Sequence, residues 1–213
     1  MMKKVYYGGM MFLALGLFTA CGANEEETET TTTEEEVTVI EGRYELTPQE
    51  DNLAWVGSWT GGDSDGKEHN GTIAITEGFV EVNGESYEGS FTIDMNSIVN
   101  LDLEEEEYNA KLVGHLKSDD FFNVEAFPTA EVEVSAVDTE EATVTVHAFG
   151  TSLTQTVPVK ATITEENVTL TGSFAFDFEE VNMPGMQADP EAPENGHVAT
   201  EINFDLNLSL DKK

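Results

Sequence analysis

Over residues 202–210 every second residue is apolar, Ile202, Phe204, Leu206, Leu208 and Leu210, and the residues between them, Asn203, Asp205, Asn207 and Ser209, are polar. A period of two puts alternate side chains on opposite faces of an extended strand, so this segment has one dry face and one wet one. The alternation recurs along the chain. It runs through Leu53, Trp55, Gly57 and Trp59, through Ile73 and Ile75, Val80 and Val82, and through Phe91, Ile93 and Met95. It returns in Ala130, Val132 and Val134, in Val144, Val146 and Ala148, in Val157, Val159 and Ala161, and in Val168, Leu170, Gly172, Phe174, Phe176 and Phe178. Nine or ten short strands joined mostly by hairpins restrict the chain to an all-β fold, either a sandwich or an up-and-down barrel.

Punctuation between the strands is mostly turn chemistry. Asn83-Gly84 is a strong hairpin signal. Asp63-Ser64-Asp65-Gly66 is a second turn; as a calcium loop with Gly66 in sixth place it would need carboxylates at Gly61 and Thr72. Gly57 suggests a bulge, and Pro158 a position where no ladder N–H is needed. Residues 183–196, rich in proline and glycine, form a long loop, either a lid or an insertion.

One stretch, residues 111–131, breaks the β pattern. Ser118 followed by Asp119 and Asp120 predicts a helix start, since a serine hydroxyl accepts from free N–H groups and acids suit the positive helix end. Phe121 and Phe122 then share one turn, Asn123 closes it in a left-handed conformation, and Phe127-Pro128 redirects the chain. The expectation is a short helical plug with Phe121 and Phe122 turned inward and His115 as a structural hydrogen-bonding residue.

At the N-terminus, Lys3 and Lys4 precede an apolar run over residues 5–18, and Phe18-Thr19-Ala20-Cys21 resembles a bacterial lipobox. Residues 1–20 are therefore expected to be a lipoprotein signal peptide and Cys21, the only cysteine, the lipid attachment site; a lone exported thiol has no disulfide partner within the chain. Residues 21–41, dominated by Glu and Thr, form a disordered acidic tether, leaving 42–211 as the folded domain. Gly22 in place of Asp favours the outer membrane of a bacterial envelope, on its periplasmic or surface face. The formal charge of −34 argues against nucleic acid and against docking on anionic lipid by charge.

No Gly-x-Ser-x-Gly elbow or phosphate loop is present, and His69, His115, His147 and His197 are scattered without ligand spacing. No enzymatic activity, metal or cofactor is expected. The run His115-Leu116-Lys117-Ser118-Asp119-Asp120-Phe121-Phe122-Asn123-Val124, followed by Phe127-Pro128-Thr129-Ala130, resembles the YceI-like lipid/polyisoprenoid-binding family. Weaker similarity extends over residues 43–210, through the Trp55 strand, a His69-Asn70-Gly71 turn and the segments 91–97 and 144–159. The resemblance implies a lipocalin-like antiparallel β-barrel of about eight strands with a short helical insertion, enclosing an elongated apolar cavity. Its implied ligand is a hydrophobic isoprenoid-like molecule, a polyisoprenoid, quinone-like or related amphiphile. Family members often carry Arg-Asp where this chain has Val113-Gly114, and a basic residue near the segment 176–181, where it has none.

The inward aromatic residues Trp55, Trp59, Phe91, Phe174 and Phe176 are the candidate ligand-binding positions, although large apolar side chains also fill ordinary cores. The alternative is a β-rich adhesion or structural module whose interior is full.

Overall fold

The strand alternation becomes eleven strands and one helix in the structure, a computed structural model that describes residues 39–213 except 48, 50, 51 and 182. The expected signal peptide, Cys21 and the tether up to residue 38 lie outside the described residues. In order the strands are β1 (Glu41–Leu46), β2 (Leu53–Thr60), β3 (Glu68–Asn83), β4 (Ser86–Asn100), β5 (Thr129–Ala136) and β6 (Glu141–Ala148). They continue as β7 (Thr151–Pro158), β8 (Lys160–Ile163), β9 (Asn167–Asp177), β10 (His197–Val198) and β11 (Glu201–Lys212), with α1 (Glu106–Lys117) between β4 and β5. The fold is mostly β, and its strand pairings are antiparallel.

Strands β3 to β7 pair in sequence as a meander. On the other side β11 pairs with β9 over its whole usable length, from Glu201↔Asp177 to Asp211↔Asn167. Between β11 and β3 lie two strands in succession: β1 pairs with residues 79–83 of β3 and β2 with residues 68–73. Strands β7 and β8 are likewise one extended run divided at Val159, and β10 precedes β11 along β2; these divisions bring the strand count above the eight expected. Pro158, with no N–H to give, ends β7, and β8 then pairs with β9 instead. The two backbones come so close there that a Cβ on Gly172 would sit 2.4 Å from the Pro158 carbonyl oxygen.

Among the described residues no backbone ladder joins β7 to β9. The Gln155 side chain spans this seam instead: its Nε2 donates to the Ala175 carbonyl at 2.9 Å and its Oε1 accepts from the Asp177 N–H at 3.2 Å. One amide thus does for two backbone groups what a ladder would do. Gln155→Leu, which removes both bonds, should lower stability by about 1–3 kcal/mol in urea unfolding, because two paired backbone groups lose their partner.

The structure relocates several expected turns. The Asn83-Gly84 hairpin forms, but Asn83 pairs with Ser86, so the two loop residues are Gly84 and Glu85, with Gly84 at φ +69° as a tight loop requires. The 63–66 segment is also a turn, closed by the Gly61 N–H donating to Asp65 Oδ1 at 2.7 Å. Gly57, expected at a bulge, holds regular register opposite His69 of β3, but on its other side the pairing of β2 shifts between Val56↔Asn203 and Trp59↔Val198. Further irregularities are in the β3–β4 pairing, between Thr72 and Ala74 and between Ile75 and Glu77. Buried Asn52, just before β2, donates to the Ile75 carbonyl (2.7 Å) and accepts from its N–H (2.8 Å), so it satisfies backbone of β3 that lies between the residues paired by β2 and those paired by β1. His69-Asn70-Gly71 is no turn but part of β3.

The helix also differs from expectation. Ser118, expected to start it, ends it: the Ser118 hydroxyl donates to the His115 carbonyl at 2.7 Å. The acidic first turn is supplied by Glu106 and Glu107, and His115 and Lys117 occupy the last turn, as the helix dipole favours. No residue of α1 is fully buried, so it carries little apolar periodicity to be read. Beyond it Asn123 takes the expected left-handed conformation (φ +42°) and Phe121 is 7% exposed, turned into the core with Phe122 packed beside it.

A buried hydroxyl stands apart. Tyr87 is 3% exposed and its phenol finds no hydrogen-bond partner among the described residues. Burial, aided by the negative charge of Asp138, pushes its pKa up to about 12 from an ordinary 10.0. A raised folded-state value means the neutral phenol is the form the fold holds. Its contribution is complete below pH 10.0 and is lost as pH rises toward 12. Tyr87→Phe should remove this alkaline sensitivity and leave stability at neutral pH unchanged or up to about 1 kcal/mol higher, since an unpaired buried hydroxyl is lost. Unfolding curves at neutral and alkaline pH check both.

Candidate ligand-binding site

Parity along each strand decides what faces inward. Trp55, Gly57 and Trp59 of β2, Ile73 and Ile75 of β3, and Phe91, Ile93 and Met95 of β4 share one interior. They are joined by the apolar sets of β5, β6, β9 and β11. These side chains do not meet in the middle. They line a cavity of about 460 Å³, within the range of sites that hold small ligands.

All five aromatic candidates, Trp55, Trp59, Phe91, Phe174 and Phe176, line this cavity. The indole N–H groups are already committed: Trp55 Nε1 donates to the Thr72 carbonyl at 3.3 Å and Trp59 Nε1 to the Asn195 carbonyl at 3.2 Å. What the two tryptophans can present to the interior is ring surface. Phe174, Phe176, Phe178 and Phe204 form an aromatic wall, with successive centroids 5.3–6.4 Å apart.

Several wall residues were assigned by sequence to the plug alone or not at all. Phe121, Phe122, Leu116 and His115 line the same cavity, so the plug supplies part of the wall. Phe149 does too; it sits at φ +56° in the tight turn between β6 and β7, stacked 5.5 Å from Phe122. The Phe149-Gly150 dipeptide was the available signal, a bulky residue beside a turn glycine.

The loop 183–196 is tied down at both ends of its span. The Gly185 N–H donates to the Asp120 carbonyl at 2.7 Å, and its Cα lies so close under Phe121 that a Cβ would come within 2.3 Å of the ring. Met183 and Met186 are buried. At the other end Asn195 receives the Trp59 indole, and the backbone of Gly196 packs against Gly61.

Polar lining is sparse: Ser58, Ser64, Lys67, His69 and His115. Lys67 Nζ donates to Ser64 Oγ at 3.1 Å. His69 Nδ1 shares a 2.8 Å bond with Asp102 Oδ2, and His115 Nε2 a 3.0 Å bond with Asp120 Oδ2. Partial burial alone would raise the Asp102 pKa. Bonds from the Asn70 N–H, His69 and Asn100 outweigh that and hold the carboxyl below its ordinary value. His69, His115 and His147 each face a different carboxylate, and among the described residues no cluster of three or more His, Cys, Asp or Glu side chains is placed to hold a metal ion.

Comparison with known proteins agrees with this architecture. A polyisoprenoid-binding domain from Saccharophagus degradans, implicated in plant cell wall breakdown, superposes with a TM-score of 0.54 at 13% identity, covering 80% of this chain and 98% of its own. At that identity the likeness establishes the fold. Burkholderia cenocepacia BcnA gives 0.47 at 18% identity (74% and 95% covered), and a Campylobacter jejuni YceI protein 0.44 at 12% (91% and 99%). No curated protein matches the sequence. The profile of the YceI-like domain matches residues 44–210, nearly the whole of the strand array and its cavity, and the chain belongs to the YceI-like family.

Proposed function

We propose that the protein is a bacterial envelope lipoprotein that holds a polyisoprenoid, quinone-like or other elongated amphiphilic molecule inside its β scaffold. The observation that carries this is the cavity of about 460 Å³ whose wall is almost wholly apolar side chain. Such a space is useless to a charged metabolite and too large to be a packing defect, since cores are otherwise filled to crystal-like density. The strand pairings support an eight-lane barrel around it: β1 with β2, β7 with β8, and β10 with β11, each occupy one lane. Eight strands suit one small ligand inside. The polyisoprenoid-binding description of the Saccharophagus degradans domain points the same way. The alternative of an adhesion or structural module with a full interior has the cavity against it.

Trp55 and Trp59 are the only tryptophans and both line the cavity, so they report on its contents. Titrating the full-length protein with an isoprenoid quinone should quench their fluorescence to a saturating endpoint near one ligand per chain. Quenching that never saturates, or none, rejects the reading.

Anchoring belongs to the same proposal. Cys21 carries acyl chains that hold the protein on the membrane, and the acidic segment after it spaces the domain from the surface. Cys21→Ser should move the protein from the membrane to the soluble fraction and abolish incorporation of labelled fatty acid; retention without acylation would refute the anchor.

A further inference from the structure

We propose that the cavity selects for ligands whose polar end is uncharged, an isoprenoid alcohol or quinone, over the same chain ending in phosphate, diphosphate or carboxylate. The inference rests on the cavity being a ligand site, as proposed above, and concerns which head group the site accepts. An anion entering a low-dielectric site needs a positive charge that nearby negative charge does not outweigh. Among the described residues that line the cavity Lys67 is the only Lys or Arg. Its bond to the neutral Ser64 hydroxyl leaves that charge intact, but Asp63, Asp65 and Glu68 on the same hairpin outnumber it. His69 and His115 cannot supply the missing charge. Each is hydrogen-bonded to a carboxylate, Asp102 and Asp120 respectively, so a proton on either ring would only cancel a negative charge already there. For Asp102 that negative charge is favoured further by the bonds it accepts from Asn70 and Asn100.

The field of the whole chain acts in the same direction. A formal charge of −34 repels an approaching anion before any contact is made. A neutral head group meets none of this and finds suitable partners: the Ser64 hydroxyl, whose own proton is still available while its oxygen accepts from Lys67, and the remaining Lys67 N–H groups. A quinone carbonyl or an alcohol oxygen needs only one such donor.

Salt separates this account from a merely steric preference. Repulsion of an anion by exposed carboxylates fades as the Debye length shrinks to about 3 Å at 1 M salt, whereas binding of a neutral chain is not weakened by screening. The experiment titrates the full-length protein with geranylgeraniol, geranylgeranyl diphosphate and a short-chain isoprenoid quinone, following tryptophan fluorescence at low and at high salt. The alcohol and the quinone should bind at least about tenfold more tightly than the diphosphate at low salt, with the gap narrowing as salt rises, because like charges brought together disfavour the complex. Asp63→Lys, a change at an exposed residue that does not itself line the cavity, should raise diphosphate affinity and leave the alcohol unchanged. Diphosphate binding as tight as, or tighter than, the alcohol at low salt overturns the head-group inference while the cavity reading stands. If none of the three binds, the cavity reading fails and the inference with it.

Discussion

Ala130→Trp should abolish ligand uptake, weakening binding by roughly a hundredfold or more, equivalent to about 2.7 kcal/mol, while the protein stays folded. Ala130 is 3% exposed on β5, opposite Ile93, and its methyl group faces the cavity. An indole there grows into empty space and occupies the volume a ligand would need. Ordinarily such a substitution overpacks a core and destabilises it by about 1–3 kcal/mol. Ala161, equally buried but away from the cavity wall, is the control for that ordinary outcome. Ala161→Trp should lower stability, and the contrast between the two variants separates a void from a full interior.

Gly71→Ala should have the largest effect on stability, about 4 kcal/mol or more, or leave no folded protein at all, because the added methyl has nowhere to go. A Cβ at this position would lie 1.8 Å from the Val99 carbonyl oxygen and 2.7 Å from the Trp55 ring. Relief would require moving β4 backbone next to the irregular pairing between Thr72 and Ala74, and displacing a tryptophan of the cavity wall. Gly57→Ala is the matched control on the neighbouring strand. Its Cβ would meet only Ile202 Cδ1, at an ordinary 3.6 Å. Urea unfolding of the two variants should differ by several kcal/mol even though both residues are strand glycines.

This pair of glycines marks how far the sequence could be read. Gly57 interrupts a visible alternation and so invites a bulge; it lies in the cavity wall, where the pairing of β2 passes from β11 to β10 with a shift of register. Gly71 hides beside a His-Asn pair that resembles a turn, and its necessity comes from Val99, distant in sequence. Close approach between strands is a property of register, and single-strand periodicity carries no register information. The same limit applies to Gln155, whose exposed-strand context gives no sign that it bridges β7 to β9.

The candidate site was legible to the extent that parity determines it. Trp55, Trp59, Phe91, Phe174 and Phe176 could be assigned to the inward face because each falls in phase with an apolar series, and all five line the cavity. Parity fixes the face of a strand but not the distance to the opposite wall. Whether inward side chains meet or leave a void depends on how the lanes are arranged around the interior, so a full core and a ligand cavity look alike in sequence. The plug shows the complementary difficulty. Its phenylalanines and the left-handed Asn123 were readable from local chemistry, but the helix lies before Ser118 and not after it. A helix with no fully buried residue carries almost no pattern, and a serine followed by acids can close a helix through its hydroxyl as well as open one.

The central claim is that the cavity holds an apolar molecule in the cell. It is tested most directly by purifying the full-length protein from its native membranes, extracting it with organic solvent and identifying what is released by mass spectrometry, with Ala130→Trp processed in parallel. The account predicts an isoprenoid-like lipid in near-equimolar amount from the native protein and little or none from the variant. An extract of the native protein free of such a lipid, or the same amount recovered from both proteins, would contradict it.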